Sequence, residues 1–155
     1  MAKEIERKFL VRNTSYRDNA DSKAAIRQAY LSTDPDSTIR IRTIDSRAFL
    51  TVKSRNKGLV RNEWEYEVPY NDAIEMMNSC AVAPVIEKTR YRVGRWEIDE
   101  FHAALEGLVI AEIELSSPDE PVEIPDYIGE EVSGDKRYYN SVLSTFSSPP
   151  SSDVG

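Results

Sequence analysis

The chain has 155 residues, enough for one domain with its own core, and 30% of them are charged, so some charges are expected where core would otherwise be. The formal net charge of −7 argues against a nucleic-acid partner held by bulk electrostatics, while leaving room for an anionic ligand held by local charge. A single cysteine, Cys80, and a single histidine, His102, exclude an intramolecular disulfide and a zinc site of the His/Cys type. Any metal would therefore be held by carboxylates, which suit hard cations such as Mg²⁺, Mn²⁺ or Ca²⁺.

In chain order, "EIERKFLV" predicts a first strand, followed by a polar stretch around 13–21 with a short helical piece. "AIRQAYLS" predicts a second strand, "DPDS" a turn, "TIRIRTI" a third strand, and "AFLTVKS" a fourth. After the "RNKG" turn, "NEWEYEVPY" predicts a fifth strand. "NDAIEMMNSC" has apolar residues at helical spacing behind an Asn/Asp cap and predicts a short helix. "VIEKTRYRV", Gly94 and "RWEIDEF" predict a hairpin, and "VIAEIELSS" the last strand. The stretch 118–134, with three prolines, predicts loop. Asp135 is placed to cap a final helix over 136–146, and 147–155 predicts a disordered Ser/Pro-rich tail. No apolar stretch has the length of a signal-peptide core or a membrane span, so no membrane partner and a cytoplasmic location are expected.

The charges repeat every second residue. Glu4, Glu6 and Lys8 alternate with Ile5, Arg7 and Phe9, and in a strand they share one face at roughly 6.5–7 Å intervals. The same spacing recurs in Arg40/Arg42, Thr51/Lys53, Glu63/Glu65/Glu67, Lys88/Arg90/Arg92, Glu97/Asp99 and Glu112/Glu114. Two folds satisfy this pattern. The ordinary one packs the apolar faces inward and leaves the charges in water. The inverted one closes the sheet around a charged lumen and covers the apolar outside with helices and loops. Like charges along one strand repel unless something bound offsets them, and segregation by strand therefore favours the inverted fold. Acidic clusters suit divalent cations, basic clusters suit polyphosphate, and a metal-bound polyphosphate satisfies both.

These blocks resemble a known family. "EIERKF", "RQAYL", "IRIR", "LTVKS", "EWEYEV", "EKTRYRV", "EIDEF", "AEIEL" and "GEEVSGDKRYYN" are similar, in order, to the successive blocks of the CYTH superfamily, the triphosphate tunnel metalloenzymes, in their short bacterial single-domain form. The resemblance covers residues 1–146 as one domain. It implies a mainly β fold: a closed, eight-stranded antiparallel barrel with a charged tunnel and a few peripheral helices. It also implies a metal-dependent hydrolase of linear triphosphates, foremost inorganic tripolyphosphate, cleaved to phosphate and pyrophosphate by attack of a metal-activated water.

Carried over block by block, the resemblance places Glu4, Glu6, Glu63, Glu65, Asp99, Glu112 and Glu114 on metal, with Mg²⁺ or Mn²⁺, two per site, as cofactor. It places Lys8, Arg40, Arg42, Lys53, Lys88, Arg90 and Lys136 on phosphate, and gives Glu4, Glu6, Lys8, Lys88 and Tyr30 catalytic roles. Trp64, Tyr66, Tyr91 and Trp96 are expected on the outer face under helices or at a dimer interface. Lys3 and Arg7 are expected to be exposed, and Glu130 and Glu131 to form a solvated turn. The partner implied is a small triphosphate, with a homodimer compatible with an uncovered apolar face. A class IV-type adenylate cyclase, a thiamine or nucleoside triphosphatase, and a non-catalytic polyphosphate-binding module are the alternatives.

Overall fold

The computed structural model describes residues 2–150. Its strands are β1 (Ala2–Val11), β2 (Ser22–Ser32), β3 (Ser37–Ile44), β4 (Arg47–Ser54), β5 (Val60–Val68), β6 (Ile86–Val93), β7 (Trp96–Phe101), β8 (Val109–Glu114) and β9 (Ile128–Glu131). Two helices, α1 (Tyr70–Cys80) and α2 (Asn140–Leu143), and three short 3-10 turns complete it. The sheet order is β5-β4-β3-β2-β6-β7-β8-β1, and β1 pairs again with β5 through Ala2↔Glu63 to Ile5↔Val60, which closes eight antiparallel strands into a barrel. β1 is long enough to serve two neighbours on one side. Its first half pairs with β5, and its end, Phe9 to Val11, pairs with β9.

The fold is the inverted one. Lys8, Gln28, Arg40, Thr51, Lys88 and Asp99 are buried, and all of them lie on the inner face of the barrel. The apolar outer faces find their cover in two places. Phe9, Trp96, Ile98, Ala111 and Ile113 pack under Tyr16, Tyr127 and Ile128. Ala29, Ile41 and Ala48 pack under Ala73 and Met77 of α1. On the outside of β5, Val68 reaches the α1 cluster but Tyr66 is 64% exposed, so of its expected cover, a helix or a dimer interface, the helix is absent.

The inner face is not charged along its whole length. One step beyond the charged positions, each of several strands turns apolar at the same level: Leu10 after Lys8, Ile86 before Lys88, Phe101 after Asp99 and Ile110 before Glu112. These residues pack with Val132, Tyr138 and Leu143 of the C-terminal segment into a third cluster. That cluster stoppers one end of the barrel, so the charged lumen is a cup.

Three local expectations are corrected. The stretch 118–134 is not all loop, because Ile128–Glu131 forms β9 and the Glu131 carboxylate takes a bidentate pair of hydrogen bonds from Arg7 at 2.9 and 2.7 Å. Neither Arg7 nor Glu131 is therefore simply solvated. Gly129 sits where β9 crosses β1, and a Cβ there would stand 3.2 Å from the Leu10 carbonyl oxygen, so the two strands would have to part by a few tenths of an ångström. The predicted final helix is broken into a 3-10 turn over Lys136–Tyr138 and the short α2, with an extended Tyr139 between them. Asp135 does cap that turn, accepting from the Arg137 amide. The third correction is at α1, which starts at Tyr70 behind Pro69 rather than at an Asn/Asp cap. Of the predicted tail, 151–155 lies outside the described residues.

Candidate active site

The order of strands around the barrel sorts the charges. β3, β2 and β6 are neighbours, and they bring Arg40, Arg42, Tyr30, Lys88, Arg90 and Arg92 into one basic arc, with Lys53 on the flanking β4. β7, β8, β1 and β5 are the remaining neighbours, and they bring Glu97, Glu112, Glu114, Glu4, Glu6 and Glu63 into an acidic arc facing it. Register makes the acidic arc dense, since Glu6 stands opposite Glu114 and Glu97 opposite Glu112 on adjacent strands. The cavity between the arcs has a volume of about 250 Å³. Asn56, Gly58 and Leu59 of the β4–β5 turn line it near the start of β1. Ser133, Gly134, Tyr139, Asn140 and Ser141 line it near Lys8.

The basic groups are held individually. Lys53 Nζ lies 3.0 and 3.1 Å from the two Glu4 oxygens. Arg40 donates to Thr51 Oγ1 at 3.2 Å, and Thr51 donates on to Glu65 at 2.8 Å. Arg42 reaches the same Glu65 at 3.4 Å. The Nε–H groups of Arg40 and Arg42 are buried without a protein partner, which leaves both forks short of acceptors. Lys8 Nζ donates to the Tyr138 carbonyl at 2.9 Å and lies over the Tyr139 ring. Lys88, 2% exposed, contacts Asp99 at 2.8 Å, and Arg90 grips the same carboxylate with bonds of 2.8 and 2.9 Å.

Burial and like charge split the carboxylates within each pair, raising one and leaving the other low. Burial, then the charges of Glu112 and Glu4, pushes Glu6 well above the usual carboxylate range. Burial opposes ionisation of Glu112 too, but Lys8 and the hydrogen bond from Glu6 overcome it and hold Glu112 down at about 2. Burial and Glu4 push Glu63 up to about 7, while at Glu4 burial is opposed by Lys53 and the hydrogen bond from Glu63, which together hold it low. Burial lowers Lys88 to about 8, with Asp99 opposing the drop, and burial together with Arg40 and Arg90 lowers Arg42 to about 10.

Most residues singled out in the sequence line the cavity: Glu4, Glu6, Lys8, Tyr30, Arg40, Arg42, Lys53, Glu63, Lys88, Arg90, Glu112 and Glu114. Three are placed elsewhere. Glu65 stands behind the arginines as their acceptor. Asp99 is 1% exposed, with both oxygens engaged by Lys88 and Arg90, so it serves as their counter-charge. Lys136 is exposed on the 3-10 turn, and the neighbouring Tyr139 and Asn140 reach the cavity in its place. Arg61 and Asn140 are cavity residues that sequence reasoning missed. Arg61 lies two residues before Glu63, so extending the period-two pattern would have found it. Asn140 carries no such signal. His102 bonds Thr89 at 2.7 Å, and Cys80 is exposed, so neither enters the site.

The donor set fits a hard divalent cation. Among the described residues no three carboxylates converge as a preassembled cage. They meet instead as Glu6 with Glu112 and Glu4 with Glu63, close enough to share a proton. Paired carboxylates completed by substrate oxygens and water are how small hard cations are commonly held.

The CYTH domain family matches residues 2–140 of the chain. The chain is 44% identical over 147 residues to an inorganic triphosphatase of Acetivibrio thermocellus, spanning 92% of this chain and 94% of that protein. It is 37% identical over 149 residues to an inorganic triphosphatase of Nitrosomonas europaea, spanning 90% and 95%. A crystal structure of an inorganic triphosphatase superposes with a TM-score of 0.64 at 32% identity, covering 93% of this chain and 95% of that one. A Pyrococcus horikoshii protein shares the fold at a TM-score of 0.57 and 22% identity, over 75% and 81% of the two chains.

Proposed function

The chain belongs to the CYTH domain family, and from that premise we propose that it hydrolyses a linear triphosphate, inorganic tripolyphosphate first, to phosphate and pyrophosphate. The observation that carries the reading is the opposition of a basic and an acidic arc across one cup. A triphosphate needs cations along its length and a divalent ion beside it, and the two arcs meet those needs separately.

Arg40 and Arg42 offer planar forks with unpaired buried Nε–H groups, suited to bidentate contacts with phosphate oxygens. Lys8, Lys53 and Lys88 act as point charges. Asp99 holds Arg90 in place, so its position does not have to be organised when the ligand arrives. Tyr30, buried and opposite Arg40 in register, adds a hydroxyl on the same wall. On the other arc Glu4, Glu6, Glu63, Glu112 and Glu114 would hold Mg²⁺ or Mn²⁺, two ions in this reading. A bound divalent cation supplies charge stabilisation at phosphate oxygens and acidifies water. In the reaction a water oxygen bonds to a terminal phosphorus and its proton passes to a carboxylate of the acidic arc, the bridging P–O bond breaks, and the electron pair leaves with pyrophosphate. Lys88, lowered to about 8, is largely protonated at neutral pH and can donate to that leaving oxygen.

The cavity favours the inorganic substrate over ATP. Its volume of about 250 Å³ lies below the roughly 300 Å³ at which pockets for drug-sized ligands begin, and its lining is mostly charged and polar. Phosphorus NMR of the protein with tripolyphosphate and ATP, with Mg²⁺, with Mn²⁺ and with chelator, tests the reading. Metal-dependent conversion of tripolyphosphate to phosphate and pyrophosphate is expected. Formation of cyclic AMP from ATP would replace the hydrolase with the cyclase.

A further inference from the structure

The C-terminal plug does more than close the barrel. It delivers one acceptor to each of the two lysines buried at the floor of the cup. Lys8 Nζ donates to the Tyr138 carbonyl at 2.9 Å. Lys88 Nζ donates to Asn140 Oδ1 at 3.1 Å, and Gln28 Nε2 donates to that same oxygen at 2.8 Å. Gln28 is fully buried, and its own Oε1 has no protein partner. Gln28 therefore clamps the Asn140 carbonyl from one side while Lys88 binds it from the other.

Lys88 has a competing attraction. Asp99, 2.8 Å away and buried, pulls the ammonium toward the barrel wall and away from the lumen. The neutral Asn140 oxygen draws it the other way without adding negative charge where an anion must sit. A carboxylate in that place would hold the lysine equally well and repel phosphate.

We propose that Asn140 is a positioning residue that aims the Lys88 ammonium into the cup, so that docking of the plug sets the grip on phosphate as well as sealing the floor. The proposal rests on the reading of the cup as a triphosphate site. It assigns no chemistry to Asn140 itself, which acts through Lys88.

A double-mutant cycle on Asn140 and Lys88 tests it, read as the Kd of tripolyphosphate for the metal-free protein by titration calorimetry, so that the result does not depend on turnover. Asn140→Ala should weaken binding about tenfold, the loss expected of one hydrogen bond to a charged group. In the Lys88→Ala background it should cost nothing further, because the residue it positions is gone. Asn140→Ala combined with Arg42→Ala should instead show additive losses. Asn140→Asp keeps the shape and both hydrogen bonds, so it should fold with unchanged thermal stability and still bind tripolyphosphate more weakly than wild type. If Asn140→Ala does not fold, Asn140→Ser, too short to reach Lys88, carries the cycle. An undiminished effect of Asn140→Ala or Asn140→Ser in the Lys88→Ala background, or wild-type binding by Asn140→Asp, which would place the bound anion away from this oxygen, would overturn the proposal. A wild-type protein that binds tripolyphosphate but does not hydrolyse it with metal would overturn the functional reading alone, and one that binds none would overturn both.

Discussion

Asp99→Asn is the most informative single perturbation of the barrel wall. In the native protein one buried carboxylate neutralises two buried cations, Lys88 at 2.8 Å and Arg90 through two bonds of 2.8 and 2.9 Å. The amide keeps one accepting oxygen, but its NH₂ group must face the other cation. One partner then loses its bond, and both lose their counter-charge. Removing one side of a buried ion pair costs about 3–5 kcal/mol. For a domain of this size each kcal/mol lowers the melting temperature by roughly 2–4 °C, so a fall of about 6–20 °C is expected. Circular dichroism melts of the metal-free proteins at pH 7 read it directly. Arg90 and Lys88 hold Asp99 below the usual carboxylate range despite its burial. Its contribution is therefore present above the unfolded value near 3.9 and is lost only as pH falls through the lower folded value. The difference between Asp99→Asn and wild type should persist from pH 5 to 8. Tripolyphosphate should stabilise the variant more than wild type, since the anion supplies the missing negative charge. A melting temperature within about 2 °C of wild type would refute the counter-charge role.

Other expectations follow from the same geometry. Glu63 is pushed up to about 7, so the stability it contributes is fully present below the unfolded carboxylate value and is lost as pH rises through about 7. A divalent cation replaces the shared proton, and Mg²⁺ should therefore raise the melting temperature more at pH 8 than at pH 5 in fluorimetric scans. Lys8→Ala should weaken tripolyphosphate binding, whereas Glu114→Ala should abolish metal-dependent turnover, measured as phosphate release under limiting metal. Turnover intact in Glu114→Ala would remove that residue from the metal arc. Tyr66→Ser, on the uncovered outside of β5, should change stability by less than about 0.5 kcal/mol in urea titrations and leave turnover unaltered.

Alternation with period two made eight strands legible, because each barrel strand has one face of one chemical kind. Periodicity could not say which face looks inward. The like-charged strands, with Arg40/Arg42 on one and Glu112/Glu114 on another, pointed to the answer. What stayed hidden depended on contacts distant in sequence. β9 is four residues long and carries no alternating pattern, since it exists to pair with the end of β1 and to place Glu131 on Arg7. The break at Tyr139 follows from Tyr138 and Leu143 both filling the barrel floor, which a continuous helix could not achieve with the same side chains. Asp99 read as one more inward carboxylate, and only its two buried cationic neighbours mark it as theirs. Asn140 is invisible for the same reason: its role comes from Gln28 and Lys88, 112 and 52 residues away along the chain.

The central claim is that the cup divides its labour, with phosphate on the β3-β2-β6 wall and metal on the β7-β8-β1-β5 wall. A crystal structure with tripolyphosphate and Mn²⁺, with the metal located by its anomalous scattering, tests this most directly. Manganese peaks are expected among Glu4, Glu6, Glu63, Glu112 and Glu114, and phosphate oxygens on Arg40, Arg42, Lys88 and Arg90. Manganese bound outside the cup, or a polyphosphate lying along the acidic arc, would contradict it.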